Sequence, residues 1–304
     1  MSAGDFDVIV IGEGIAGLSA ARQAAESGAR AATFEALLFG GLVTNINVLD
    51  PSPDPAAASG ADLAASLLQG NTELGIESIQ QPVTALERGS HGFIVRTEEG
   101  EHRARQIVVA SGARLRTLGI PGEAQFVGRG VSSCADCDGP LYHGRDVVVV
   151  GSGDSALQEA LVLAEFCGKV HLVHRTAQFT GRADLAARIA KHGNVIVHAS
   201  AELERIEGSD GVEGVAARKL EDGSRFELPC KAVFAYVGLV PNSDYLPAEI
   251  KRDAAGHVTT AATLETSLRG VFAAGAVRSG YGGTLDDAIR EGRAAGLGAA
   301  AGLA

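Results

Sequence analysis

Asp7-Val-Ile-Val-Ile-Gly12-Glu-Gly14-Ile-Ala-Gly17 joins a β-branched apolar run to three glycines, and Ala and Leu then recur at helical spacing from Ile15 to Ala25. That order predicts a strand, a tight turn and a helix. Arg30 to Phe34 makes the next strand and ends at Glu35, so the whole is one βαβ unit of about 30 residues. A phosphate-binding turn needs glycine because a side chain would hold a pyrophosphate away from the backbone N–H groups and the helix N-terminus that neutralise it. Glu35 is placed to accept hydrogen bonds from ribose hydroxyls.

The pattern returns once. Asp146-Val-Val-Val-Val-Gly151-Ser-Gly153-Asp-Ser-Ala156 repeats strand and turn, Ala156 to Phe166 repeats the helix, and Val170 to Val173 the second strand. Ala156 stands where the third glycine would be, which the pattern tolerates. The second strand ends in His174-Arg175, where an acid would read a ribose 2′-hydroxyl and cations a 2′-phosphate. Arg175 is one cation; Thr176 and Thr180 add none.

Further strands are expected at Phe93 to Arg96, Gln106 to Gly112, Ala232 to Gly238 and Gly270 to Gly275, followed by an Ala-rich helix from Thr284. The expected fold class is α/β, with two Rossmann-like dinucleotide-binding domains, one inserted into the other. The outer domain takes residues 1–112 and 239–304, and the inserted one 113–238.

Between the two turns lies Cys134-Ala-Asp-Cys137, flanked by Asp138. Two cysteines at this spacing can close a small disulfide ring and exchange with an external disulfide through a mixed intermediate. An adjacent carboxyl can move the accompanying proton. Half a zinc site is the competing reading, but no second close Cys or His pair accompanies this one. Inert buried thiols are another. Cys167 and Cys230 read as ordinary interior thiols. Two dinucleotides and one dithiol on a single chain describe an electron relay.

Composition agrees with two folded domains: 304 residues, 46% hydrophobic, with the 40 glycines that several backbone-to-phosphate turns demand. A net charge of −11 and the lack of a polybasic run argue against nucleic acid and anionic membranes. No apolar stretch reaches the roughly 18 residues of a membrane span. The start Met1-Ser-Ala-Gly-Asp-Phe-Asp7 has no basic residue, so a cytoplasmic protein is expected.

These residues resemble the low-molecular-weight, bacterial-type thioredoxin reductases over nearly the whole chain. The resemblance rests on the first glycine turn, Gly40-Gly41, Ala110-Ser111-Gly112, Cys134 to Gly139, Gly151 to Ala156, His174-Arg175, Val237-Gly238 with Pro241-Asn242, and Thr266 to Gly275. It implies FAD in the outer domain and NADPH or NADH in the inserted one. Electrons would pass from flavin to the Cys134/Cys137 dithiol and on to thioredoxin or a related small disulfide, with Asp138 as the acid, in a homodimer. The cofactor-binding residues it implies are Gly12, Gly14, Ile15, Ala16, Gly17, Glu35, Gly40, Gly41, Leu42, Val83, Ala110, Ser111, Gly112, Gly151, Gly153, Asp154, Ser155, His174, Arg175, Gly238, Gly275, Ala276 and Ala288.

Departures cluster around the cofactor contacts. Ala276 replaces the family's ribityl-binding Asp, a loss worth about 1.5–3 kcal/mol for a charged hydrogen bond. Asp286-Asp287 replaces an Arg-Gln pair, Leu42-Val43 replaces Gln-Leu, and Leu49-Asp50-Pro51-Ser52 replaces Asn-Phe-Pro-Gly. Two alternatives follow from them. One is a divergent flavin disulfide oxidoreductase that draws on another carrier such as ferredoxin or works as a small-molecule dithiol oxidase. The other is a catalytically silent nucleotide-binding redox sensor.

Overall fold

Strand β1 (Asp5–Ile11) runs into the first glycine turn and helix α1 (Ile15–Glu26), then β2 (Ala31–Phe34), a 3-10 turn at Gly41–Asn45, helix α2 (Gly60–Glu73) and strands β3 (Glu77–Ile79), β4 (Val83–Gly89), β5 (Gly92–Thr97) and β6 (Glu101–Val109). The computed structural model describes residues 5–49 and 51–303. Asp50, in the loop that departs from the family pattern, lies outside them. The chain crosses to a second unit through β7 (Ala113–Leu115) and continues with β8 (Val131–Ser132), the short helix α3 (Ala135–Asp138), β9 (Val147–Val150), α4 (Asp154–Phe166), β10 (Val170–Val173), α5 (Ala183–Lys191) and β11 (Val195–His198). Strands β12 (Ala201–Gly208), β13 (Val212–Lys219), β14 (Arg225–Pro229) and β15 (Ala232–Ala235) complete that unit. It returns through β16 (Leu239–Pro241) to β17 (Val271–Ala273) and the last helix, α6 (Leu285–Ala301).

Unit 1 comprises Met1–Arg114 with Val240–Ala304, and unit 2 Leu115–Leu239. The two connecting segments, β7 and β16, pair as a two-stranded ribbon.

In unit 1 the sheet order is β3-β2-β1-β6-β5-β4, with β17 also beside β6. The strands from β3 to β6, and β17, are parallel, while β4, β5 and β6 form an antiparallel meander. Central β1 is buried on both faces, as a sheet covered on both sides requires: Val8 and Val10 pack with α1, α2 and α6, and Ile9 and Ile11 with Phe34, Phe93 and Ile107. Helix α6 lies close on α1 because glycines face it. A Cβ on Gly292 would stand 2.2 Å from Ala16 O, and one on Gly296 2.2 Å from Ala20 O.

Unit 2 has a parallel sheet in the order β11-β10-β9-β15-β8 and an antiparallel sheet β12-β13-β14. One apolar cluster fills the space between the parallel sheet and α4 and α5, and another packs β12 and β13 onto its other face. In each unit the strand before the glycine turn sits where the strand order reverses, β1 between β2 and β6 and β9 between β10 and β15. Ligands of open α/β sheets bind outside the carboxyl ends of the strands at such points.

Candidate active site

The first turn divides its glycines by task. A Cβ on Gly12 would meet Ala110 O at 2.4 Å, and one on Gly17 would meet Gly12 O at 1.9 Å, so these two let backbone pack on backbone. At Gly14 the nearest atom would be 3.9 Å away, and that face is open. Helix α1 starts there with no capping side chain and no acid in its first turn. By contrast, α2 and α6 begin with reciprocal capping boxes, Ser59 with Asp62 and Thr284 with Asp287. An uncapped helix start beside an open glycine fits a pyrophosphate. Ile15 and Ala16, both buried, form the helix's first turn.

The surrounding residues converge on this turn. Gly40 N–H donates to Glu13 O at 2.7 Å, which brings Gly40 and Gly41 alongside Gly14, with Leu42 exposed beyond them. Glu35 accepts from Glu13 N–H at 2.8 Å through one carboxylate oxygen, and from Ala36 and Leu37 N–H at 2.9 and 3.0 Å through the other. Val83 opens β4 and packs in the cluster that contains Phe34. Ala110, Ser111 and Gly112 follow β6. Ser111 donates to Asn242 O at 2.7 Å, and Asn242 returns a bond to Ser111 O at 2.9 Å.

Later in the chain, Gly275 and Ala276 lie in a 3-10 turn after β17, with Gly275 close against Ala16 of α1, and Ala288 is buried in α6. The carboxylate that the sequence lacks at position 276 comes to this turn from α6. Glu291 accepts from Gly275 N–H at 3.0 Å and from Arg278 Nε at 3.0 Å, and its second oxygen pairs with Arg278 Nη2. Asp287 closes the α6 capping box and pairs with Arg290. It caps the start of the helix, which accounts for half of the Asp286-Asp287 replacement.

The second turn is built alike. A Cβ on Gly151 would meet Tyr236 O at 2.4 Å, whereas Gly153 has its nearest neighbour, Thr180 Oγ1, at 3.9 Å. Helix α4 starts at Gly153 without a capping side chain. The segment from Thr180 to Arg182 folds onto the turn: Thr180 and Gly181 N–H donate to Ser152 O, and Arg182 N–H donates to Asp154 Oδ1 at 2.6 Å. Asp154 and Ser155 are exposed beside it. His174, at the end of β10, borders a pocket of about 380 Å³ together with Phe179, Ala186 and Val197. Its Nδ1 meets Thr176 Oγ1 at 3.0 Å, its buried Nε2 has no hydrogen-bond partner among the described residues, and burial holds its pKa below the usual imidazole value. Arg175 is exposed and pairs with Glu202 at 3.0 Å. Gly238 sits just before β16 and accepts from Arg116 N–H at 2.9 Å.

Cys134 and Cys137 form a disulfide across α3, with Cys134 half-buried and Cys137 exposed. Cys134 Sγ also accepts from Cys137 N–H at 3.1 Å. Asp138 ends the short helix. Cys167 and Cys230 are free and buried, and burial pushes their thiol pKa values up to about 11 and about 12. Of the four cysteines, only the closely spaced pair is poised for exchange.

Acids that are buried, or half-buried in the case of Glu159, are what sequence reasoning missed. Glu13, within the first glycine turn, is fully buried and bonded to Thr33 Oγ1 and Gln80 Nε2. Glu159 and Glu291 lie on the apolar stripes of α4 and α6, three positions after Ala156 and Ala288. An acid on such a stripe is the signal that could have found them.

Comparison with known proteins agrees with this geometry. The family model for pyridine nucleotide-disulphide oxidoreductases matches residues 6–292. A thioredoxin reductase of Treponema pallidum is 36% identical over 276 residues, covering 90% of each chain. The crystal structure of Lactococcus lactis thioredoxin reductase superimposes with a TM-score of 0.93 at 30% identity, over 98% of this chain and 99% of that one. The thioredoxin reductase of T. acidophilum does so with 0.91 at 28% identity, over 98% of each. Two open glycine turns, a disulfide ring on the second unit and likeness over almost the full length lead to one conclusion: the chain belongs to the pyridine nucleotide-disulphide oxidoreductase family, as a member of its bacterial-type thioredoxin reductase branch.

Proposed function

We propose that unit 1 binds FAD at the Gly12–Gly17 turn, that unit 2 binds NADPH or NADH at the Gly151–Ala156 turn, and that Cys134 and Cys137 pass electrons to a thioredoxin-like protein or a related small disulfide. When bound, FAD accepts a hydride from the nicotinamide and releases two electrons to a disulfide. The chain's own residues do the rest. The α1 and α4 N-termini hold the pyrophosphates, Glu35 takes ribose hydroxyls, and Glu291 fixes the Gly275 turn where Ala276 has no carboxylate to offer. Cys137, the exposed sulfur, meets the incoming disulfide, and Asp138 beside it moves the proton that accompanies thiol exchange.

The observation that carries this reading is the surface disulfide of Cys134 and Cys137 on the same unit as an uncapped helix start beside Gly153. We further propose a homodimer in the cytoplasm, as the resemblance to bacterial-type thioredoxin reductases implies. No helix among the described residues is long and apolar enough to cross a membrane. The test is anaerobic: add NADH or NADPH to the yellow holoprotein, follow the flavin absorbance, then count thiols. Bleaching by one nicotinamide, with two new thiols that vanish in Cys134→Ser, is the expected result; bleaching by neither overturns the proposal.

A further inference from the structure

Behind the disulfide, on the second turn of α4, stands a carboxyl group that the electron relay does not use. Glu159 Oε2 accepts from the N–H of Ala135, the residue that follows Cys134, at 3.3 Å, and from Tyr236 Oη at 3.4 Å. Ala135 is fully buried and Tyr236 nearly so, and the half-buried Glu159 carboxyl reaches both. The elements packed around α4 bring Asp136 and Asp138 from α3, Tyr142 from the turn after it and Tyr236 from the end of β15, while His171 of β10 lies on the opposite face of the sheet with His198, and Asp184, Arg188 and Lys191 of α5 are exposed. Of these, Asp136 and Tyr236 act on the Glu159 carboxyl; no cation does. Burial first, and the Asp136 charge second, push its pKa up to about 7.

We infer that Glu159 is a positioning residue that couples a proton to the redox state of Cys134 and Cys137: charged or shared while the ring is closed, protonated once the ring is open. Two electrons break the S–S bond and leave two sulfurs, of which one takes a proton and the other remains thiolate. That adds one negative charge beside Asp136 and Glu159. If Glu159 takes a second proton from solvent, the local charge is unchanged by reduction, and the Ala135 N–H loses its anionic partner and is freed to favour the thiolate. The balance is one disulfide, one carboxylate, two electrons and two protons giving one thiol, one thiolate and one carboxylic acid.

The inference rests on the dithiol reading above but needs neither nucleotide nor partner. The experiment poises the holoprotein against dithiothreitol redox buffers from about pH 6 to about pH 9 and counts the thiols by alkylation and mass. The reduction equilibrium constant of the native protein should fall more steeply with pH than that of Glu159→Gln, the gap growing to about three- to tenfold across the window. Tyr236→Phe, which removes a donor to the charged carboxylate, should move the onset of the extra slope to higher pH. Parallel curves for native protein and Glu159→Gln overturn the inference. Should the Gln variant fail to fold, infrared difference spectra of the native protein decide alone: reduction near about pH 7.5 must add a protonated-carboxyl band, and its absence is equally fatal. A protein whose flavin no nicotinamide bleaches, yet whose thiol curves separate, keeps this inference and loses the proposed function.

Discussion

Glu202 holds Arg175 at 3.0 Å and pairs with Arg218 through its other oxygen. Arg182 is likewise engaged by Asp184 at 2.7 Å. The cations at the end of the second βαβ unit are therefore matched by acids, and a nucleotide 2′-phosphate would have to compete with them. NADH should be used at least as well as NADPH. Thr180→Arg, which puts a new guanidinium beside Gly153, should shift the ratio of kcat/KM toward NADPH by about tenfold, since a hydrogen bond to a charged group is worth about 1.5–3 kcal/mol. Steady-state kinetics with both nicotinamides reads it. An unchanged ratio would remove the nucleotide from this turn.

The two kinds of glycine in the first turn should separate in mutants. At Gly14 the backbone is extended with φ −67° and the space is open, so Gly14→Ala should fold normally but bind FAD at least about tenfold more weakly. At Gly17 a methyl collides with the Gly12 carbonyl, and Gly17→Ala should lower the melting temperature of flavin-free protein by several degrees. Calorimetry on stripped protein and a flavin titration test both.

Glu291 is buried and the Arg278 side chain only 15% exposed, and each is the other's charge partner. Removing one leaves the other uncompensated, so Glu291→Gln should cost about 3–5 kcal/mol of stability. Arg278→Met in the same background should restore part of it. Denaturant unfolding of the single and double variants measures the coupling, and simple additivity would contradict the pairing.

His171 Nδ1 and His198 Nε2 lie 3.0 Å apart on adjacent strands, with His198 stacked on Phe226. Burial holds both pKa values below the usual imidazole value, and for His198 the His171 charge adds to it. Below about pH 6.5 the unfolded chain therefore binds more protons than the folded one, so their contribution is complete above that pH and is lost as pH falls. Thermal melts at about pH 7.5 and about pH 5.5 should show a smaller acid loss for His198→Gln than for the native protein.

Local chemistry made the two βαβ units legible: β-branched runs, glycines with fixed tasks, and the Ala and Leu spacing of α1 and α4 all act within a few residues. The dithiol was legible for the same reason. What the chain concealed depends on distant partners. Glu291 matters because α6 returns to the Gly275 turn, and Glu159 because α4 passes behind Ala135. Neither neighbour is close in sequence. Asp287 is a different case, since Thr284-Leu-Asp-Asp287 before an Ala-rich helix is a capping-box pattern that reads locally. The antiparallel sheet β12-β13-β14 escaped because its charged, alternating strands carry no glycine turn of the phosphate-binding kind to mark them.

The seating of Gly292 and Gly296 against Ala16 and Ala20 has a bearing on synthesis. Translation finishes the disulfide-bearing half at Leu239, while its companion still lacks β17 and α6. A nascent chain thus holds one finished module and one whose oldest helix waits, unclad, for the newest. Truncation a few turns short of the end would leave the flavin cradle open at its back rather than merely shortened.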